Sequence, residues 1–396
     1  MRQTDRGMFA PRVALYSHDT CGLGHLRRNM MIADALVDHS PGASALLLTG
    51  VLEAAAFSRR KGVDIVSLPS LYKVENNHYR SRWLDVDVQR LISIRSGIIA
   101  SALEAFEPDV LIVDNVPRGA MGELDGALAN LRKRTSCRIV LGLRDILDHP
   151  EVVEKEWEAA GHFDAIRSLY DEVWIYGDPN VFDATVSYRF PADIKARVSF
   201  TGYLSRYRNG VHDIEGRRVR ERPLVLCTVG GGQDGYPLAR AVAKAEYPRN
   251  AEAIIMAGPY MPETQYGKLV ERSRSRNDLR VERFRSSPAD LFGRADRIVS
   301  MGGYNTVIEL LGLGRRPLIV PRVSPRFEQA IRASRLHEAG LVDLLLPEEL
   351  SRRKIGRWLR SKSAPANGSR PINLAGIESV VCHLKRLIGV SEASAA

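Results

Sequence analysis

The chain has 396 residues, 44% hydrophobic and 26% charged, more than one ordinary core holds, which points to a soluble protein of two domains. No apolar run approaches the roughly 20 residues that cross a bilayer, and the N-terminus MRQTDRGMFAPRVALYSHD has too short an apolar run for a signal peptide. Cys21, Cys137, Cys227 and Cys382 are scattered without a CxxC pair, so neither a zinc site nor a disulfide framework is indicated, as fits a reducing cytoplasm.

The net charge is +10. Arginines cluster over 206–222, 272–285 and 352–360, and only the last cluster is uninterrupted by acids. No nucleic-acid-binding motif accompanies them. A solvated basic surface accounts for most of these residues. An anionic donor, or an anionic membrane surface carrying a lipid-linked acceptor, accounts for the excess.

In chain order, residues 12–17 (RVALYS) read as a buried first strand, followed by HDTCGLGHLRR and a helix to Val37. Strand, glycine turn and helix open a doubly wound α/β unit. Gly22 and Gly24 lack the third glycine of a dinucleotide fingerprint, so a hydride enzyme is not favoured. His25 is a candidate general base, its ordinary pKa near 6.5 suiting removal of a hydroxyl proton; the bland alternative is that it holds the turn. His18, at the end of the same strand, is a weaker rival.

Short strands follow at 45–48 and 65–68 with a helix between, then a polar, aromatic stretch without period at 71–84, which reads as a long loop for acceptor contacts. A helix spans 88–106, stopped by Pro108. The strand 110–113 ends in Asp114, on the rim where doubly wound sheets bind ligands. There Asp114 orients the imidazole, serves as base itself, or merely caps a turn. Strands at 138–143 and 172–176 also end in polar groups, Arg144 with Asp145 and Asp178. A last strand falls within 198–204. The expected division is an N-terminal domain over 1–205, a linker over 206–222, a second domain over 223–376 and a helix over 377–390.

The second half opens with a strand at 223–229 and the glycine loop Gly230, Gly231, Gly232, Gln233. The next strand, 253–257, ends without the acid that a nicotinamide ribose needs, so the loop suits a phosphate or acceptor better than NAD; a plain tight turn is the alternative. A strand at 281–284 places Phe284 as a pocket wall or as core. After a helix at 288–293 comes RIVSMGGYNTVIELLGLGRRPLIVPRVSPRFEQ: a strand at 298–300, a turn on Gly302 and Gly303, and a helix that Asn305 and Thr306 can cap. Such a turn offers backbone N–H groups and a positive dipole end to an anion. Glu309 can accept from two vicinal hydroxyls, as of a ribose, or is simply solvated. A strand at 317–320 leads to a polar loop ending in Glu328 and Gln329, which supply acceptors and donors for a polyol. A helix over 328–340, a strand over 342–346, a helix over 377–388 and a disordered tail over 391–396 complete the reading.

These residues resemble the donor-nucleotide segment of GT-B glycosyltransferases, especially glycosyltransferase family 28. The resemblance implies two Rossmann-like domains facing across a cleft, with the last helix crossing back to the first domain. It gives Gly302 and Gly303 the donor diphosphate, Glu309 the ribose, and Glu328 with Gln329 the sugar. Gly22, Gly24 and His25 match a Gly-x-Gly-Gly-His-like signature, with Leu23 splitting the glycines. Gly230 to Gln233 match a Gly-Gly-Ser-x-Gly-like loop, and backbone groups beside Phe284 meet the base. The implied activity is inverting, metal-independent transfer from a nucleotide diphosphate sugar, foremost a UDP-sugar, to a hydroxyl acceptor that is lipid-linked or a small metabolite. No cofactor beyond that co-substrate and no nucleic acid is expected. The expected location is the cytoplasm, including a peripheral position at the inner membrane face. The one Asp-x-Asp spelling, Asp85-Val-Asp87, reads as surface and not as a metal site. The alternatives are a UDP-sugar 2-epimerase-like enzyme on the same fold and a nonenzymatic nucleotide- or glycan-binding protein.

Overall fold

The computed structural model describes residues 10–18, 23–51, 54, 60–75, 78–133, 136–207, 222–285, 288–361 and 371–389. Gly22, most of the expected linker, most of the helix expected between the second and third strands, and the tail lie outside the described residues. The chain divides into two compact units, Met1–Leu204 with Ala375–Ala396, and Ser205–Leu374.

Among the described residues the first unit has nine strands: β1 Arg12–Ser17, β2 Ser44–Thr49, β3 Val63–Ser67, β4 Leu71–Glu75, β5 His78–Ser81, β6 Val110–Asp114, β7 Arg138–Arg144, β8 Glu172–Tyr176 and β9 Val198–Phe200. Seven form one parallel sheet in the order β3-β2-β1-β6-β7-β8-β9. The central strands read as continuous apolar runs because both faces are covered: Val13 to Tyr16 and Val110 to Val113 are fully buried. The order reverses between β1 and β6, in register with Tyr16 opposite Val113. That is a switch point, outside whose carboxyl ends such sheets hold ligands.

The helix Val88–Phe106 begins where the Asp87 carboxylate accepts the Arg90 N–H at 2.8 Å. It ends at Glu107, in left-handed geometry before Pro108. The stretch expected as a long loop after residue 70 is instead the antiparallel hairpin β4–β5, with Leu71 opposite Ser81 and Tyr72 opposite Arg80. Its outer contacts are the Arg80 and Arg82 guanidinia over the Tyr72 ring, at 4.9 and 5.6 Å. Its inner contact is Leu71, packed with Leu91, Ile92 and Ala120. Cation–aromatic pairs replace the apolar alternation that marks a strand in sequence. The C-terminal helix Gly376–Leu387 also belongs to this unit. Arg386 donates to both Glu172 oxygens at 2.6 and 2.8 Å, and the His383 ring lies 5.5 Å from that of Trp174.

Among the described residues the second unit has six strands: β10 Leu224–Thr228, β11 Glu252–Met256, β12 Leu279–Glu282, β13 Arg297–Ser300, β14 Leu318–Ile319 and β15 Asp343–Leu344. All are parallel, in the order β12-β11-β10-β13-β14-β15. The switch point lies between β10 and β13, where Thr228 pairs with Ser300. The basic segment Arg352–Arg360 is a helix whose apolar residues Ile355 and Leu359 are buried in the core of this unit, leaving its arginines a solvated face. Among the described residues no helix is long and apolar enough to cross a membrane.

Candidate active site

In the first unit, β6 delivers Asp114 to the switch point, and the helix Gly24–His39 delivers His25 and, one turn on, Arg28. His25 Nδ1 contacts Asp114 Oδ2 directly. Arg28 grips the same carboxylate, Nε to Oδ1 at 3.0 Å and Nη2 to both oxygens at 2.8 Å. Its Cζ lies 5.8 Å from the Tyr176 ring centroid.

Asp114 is fully buried, and burial alone would raise its carboxyl; Arg28 and His25 outweigh that and bring it down to about 2. Arg28 Nη2 also lies 3.0 Å from His25 Nδ1. Nδ1 is thus engaged by both Asp114 and Arg28, which leaves Nε2 as the other ring nitrogen. His25 keeps 15% of its side chain exposed, while Asp114 keeps none. Asp114 is thus the buried partner of the pair, its carboxylate bonded to His25 and Arg28. His18, the expected rival, packs its ring 5.3 Å from that of His25 and is buried.

Beneath the loop that follows Asp114 lies a second buried cluster. Tyr16 donates to Glu123, Arg95 Nη2 donates to Glu123 Oε1 at 2.7 Å, and Arg95 Nη1 donates to the Pro69 carbonyl at 2.7 Å. Burial, then the Glu123 charge, push the Tyr16 hydroxyl well above the phenol range. This cluster fixes the loop from below.

In the second unit both glycine turns stand at the carboxyl ends of β10 and β13, either side of the switch point. Gly232 has φ +88°, and a Cβ there would stand 2.1 Å from the Ala257 carbonyl oxygen. That glycine is consumed by the packing of the loop against the end of β11. Gly303 is different. Its φ of −61° and ψ of 142° suit any residue, and no atom lies within 4 Å of where its Cβ would be. Nothing in the described chain requires a glycine at 303, and the open space beside it is what a close ligand requires.

Gly303 is the N-cap of the helix Tyr304–Gly312, with no side-chain cap bond. Asn305 and Thr306, expected as caps, therefore lie inside the first turn. The extended backbone of Gly303 takes the cap position and starts the helix at Tyr304. Behind the turn the buried Arg332 donates from Nη1 to the Gly302 carbonyl at 3.3 Å, with its Cζ 5.6 Å from the Tyr304 ring centroid. Glu309 is half-buried on the same helix. Burial, then the Glu309 charge, push the neighbouring Tyr207 hydroxyl up.

Glu328 and Gln329 open the helix Glu328–Glu338 and are buried, at 2% and 9% exposure. Both oxygens expected to face a sugar are engaged by Arg322: Nη2 donates to Glu328 Oε1 at 2.7 Å, and its backbone N–H to Gln329 Oε1 at 3.2 Å. Arg322 Nη1 also reaches Asp234 of the first glycine loop at 3.3 Å. Gln233 is exposed beside it, with Gly230 exposed and Gly231 half-buried. Phe284 is exposed just past the edge strand β12, so it is not core.

The structure therefore gathers His25 with Asp114, and the Gly230 to Gln233 loop with Gly302, Gly303, Glu328 and Gln329. Sequence reading missed Arg28, Arg322 and Arg332. The available signal for Arg28 was its spacing, three residues after His25 on one helix face. Among the described residues no cluster of three or more His, Cys, Asp or Glu side chains is placed to hold a metal ion.

No family model and no curated protein sequence matches the chain. Solved structures do. The chain is similar to a putative UDP-N-acetylglucosamine 2-epimerase from Listeria monocytogenes, at 12% identity and TM-score 0.63 over 97% of this chain and 98% of that one. It is similar to MurG of Acinetobacter baumannii, at 14% identity and TM-score 0.58 over 96% and 100%. It is also similar to Phytolacca americana UGT2, solved with UDP-2-fluoro-glucose and pterostilbene, at 13% identity and TM-score 0.57 over 96% and 94%. At these identities the likeness is one of fold. The fold is GT-B, with two Rossmann-like domains, as the sequence resemblance implied.

Proposed function

We propose that the protein transfers a sugar from a nucleotide diphosphate sugar, of the UDP class, to a hydroxyl acceptor with inversion and without a metal ion. The observation that carries this reading is the His25–Asp114 pair: a partly exposed imidazole whose Nδ1 is held by a buried, ionised carboxylate at a ligand-binding rim. His25 Nε2 takes the acceptor proton as the hydroxyl oxygen bonds to the anomeric carbon. The bond from that carbon to the β-phosphate oxygen breaks, and its electron pair leaves with the nucleotide. The second unit supports the leaving group through the uncapped helix start at Gly303, with Arg332 behind it. Glu309 is assigned the ribose hydroxyls.

Calorimetric titration with UDP, GDP, TDP and ADP tests the donor assignment. Micromolar binding of UDP, lost in Glu309→Ala, is the expected result. Equal binding by the variant, or no binding by wild type, removes the assignment. A second reading, sugar-nucleotide 2-epimerisation, is favoured by the TM-score of 0.63 to the Listeria structure. Incubation with UDP-N-acetylglucosamine alone separates the two: an epimerase equilibrates it with its 2-epimer, whereas the transferase leaves carbon 2 unchanged.

A further inference from the structure

The two residues expected to read the donor sugar are both buried, and both present an oxygen to Arg322 instead. Arg322 itself keeps 28% of its side chain exposed, against 2% for Glu328. Its guanidinium rests on a buried carboxylate on one side and on Asp234 of the glycine loop on the other. A long, flexible side chain is thereby held in one orientation before any ligand arrives, which removes much of the entropy cost of binding through it. The hold is incomplete. The contact to Asp234 is long at 3.3 Å, and Arg322 Nε is buried without a hydrogen-bond partner. An orphaned donor of this kind marks a place where an acceptor is missing.

Position agrees. Arg332, four residues after Glu328 on the same helix, touches the Gly302 carbonyl. The start of this one helix therefore meets both the Gly302 turn, through Arg332, and Arg322, through Glu328. We propose that Arg322 is the sugar-reading residue of the donor site, its guanidinium donating to hydroxyl oxygens of the transferred sugar while Glu328 and Asp234 hold it in place. The proposal rests on the reading of the second unit as a nucleotide-sugar site, and moves the sugar contact from Glu328 and Gln329 to the arginine in front of them.

The test compares UDP with UDP-glucose and UDP-N-acetylglucosamine by calorimetry, on wild type, Arg322→Gln and Arg322→Lys. A charged hydrogen bond to the sugar predicts UDP affinity within about twofold of wild type in both variants, and UDP-sugar affinity lower by about tenfold or more. Arg322→Lys retains the charge beside the buried Glu328, so it decides the matter should the glutamine variant fail to fold. Equal losses for UDP and UDP-sugars make Arg322 a strut of the unit and overturn the proposal. Unchanged UDP-sugar affinity overturns it as well. Wild type that binds no UDP refutes the donor reading itself, a result distinct from either, and the proposal falls with it.

Discussion

At the first unit's switch point, between β1 and β6, three charged or titratable side chains close on one another out of water: Asp114 fully buried, Arg28 almost so, His25 at the opening. At the second unit's switch point, between β10 and β13, the ends are glycine backbone, one turn packed tight and the other open. The same doubly wound topology thus presents a buried ionic cluster at the strand ends of one unit and glycine backbone at those of the other. The difference shows what the topology settles and what it leaves to local sequence. It sets where a ligand goes. The residue types at the strand ends set whether chemistry or binding happens there.

Crossed substitutions break this division of labour if it is wrong. His25→Ala is expected to lower UDP release from the donor by about 10²- to 10⁴-fold, the usual loss of a general base, and to leave UDP affinity unchanged. Glu309→Ala is expected to do the reverse, weakening UDP by about tenfold or more through lost charged hydrogen bonds. A His25 variant that loses UDP affinity would place the nucleotide in the wrong unit.

The two glycine turns permit a second contrast. Gly232→Ala drives a methyl group into the Ala257 carbonyl at positive φ and is expected to cost about 2–3 kcal/mol in urea unfolding. Gly303→Ala meets no atom and suits the backbone, so stability holds while UDP affinity falls. Loss of stability at 303 would show that the open space serves the chain and not a ligand.

Much of this was legible in the sequence for a physical reason. Strands buried on both faces are apolar along most of their length, so β1, β6 and β8 announce themselves. The helix Val88–Phe106 shows helical apolar spacing and is stopped by a proline, both local signals, whereas the Asp87 cap at its start emerged only in the structure. What was not legible depends on partners distant in sequence or on direction. The hairpin β4–β5 is held by arginines on a tyrosine, a pairing that carries no period. Asn305 and Thr306 have capping chemistry, but a glycine two residues earlier took the position. Glu328 and Gln329 have the right chemistry for a sugar, yet their burial depends on Arg322, whose orientation no spacing rule gives. Arg28 was hidden because an arginine beside another arginine on a helix reads as solvent-facing.

Acidification tests the first site through its buried carboxylate. Asp114 sits near 2 in the folded protein against an ordinary 3.8. A carboxyl lowered on folding adds stability above the ordinary value and loses it as pH falls toward the folded one. Between about pH 5 and pH 2 wild type is expected to lose about 2 kcal/mol through this group. Urea midpoints of wild type and Asp114→Asn should converge over that range, with the variant flatter. Parallel curves would show that the Arg28–Asp114 pair adds nothing to folding.

The smallest effect tests whether the first unit supplies anything besides its buried pair. Asp85-Val-Asp87 is the sequence's one spelling of a paired-carboxylate metal site, and such a pair would hold a cation against a diphosphate. In the structure the Asp87 carboxylate accepts the Arg90 N–H at the start of a helix. A cap of this kind contributes about 1 kcal/mol, and its loss lowers the melting temperature of a domain this size by roughly 2–4 °C. Asp87→Ala is therefore expected to melt slightly earlier and to turn over donor within about twofold of wild type, as a cap with no catalytic part should. EDTA should leave wild-type turnover unchanged. Turnover abolished both by the substitution and by EDTA would instead assign the leaving-group charge to a cation held in the first unit. The helix start at Gly303 would then lose the leaving-group role proposed for it.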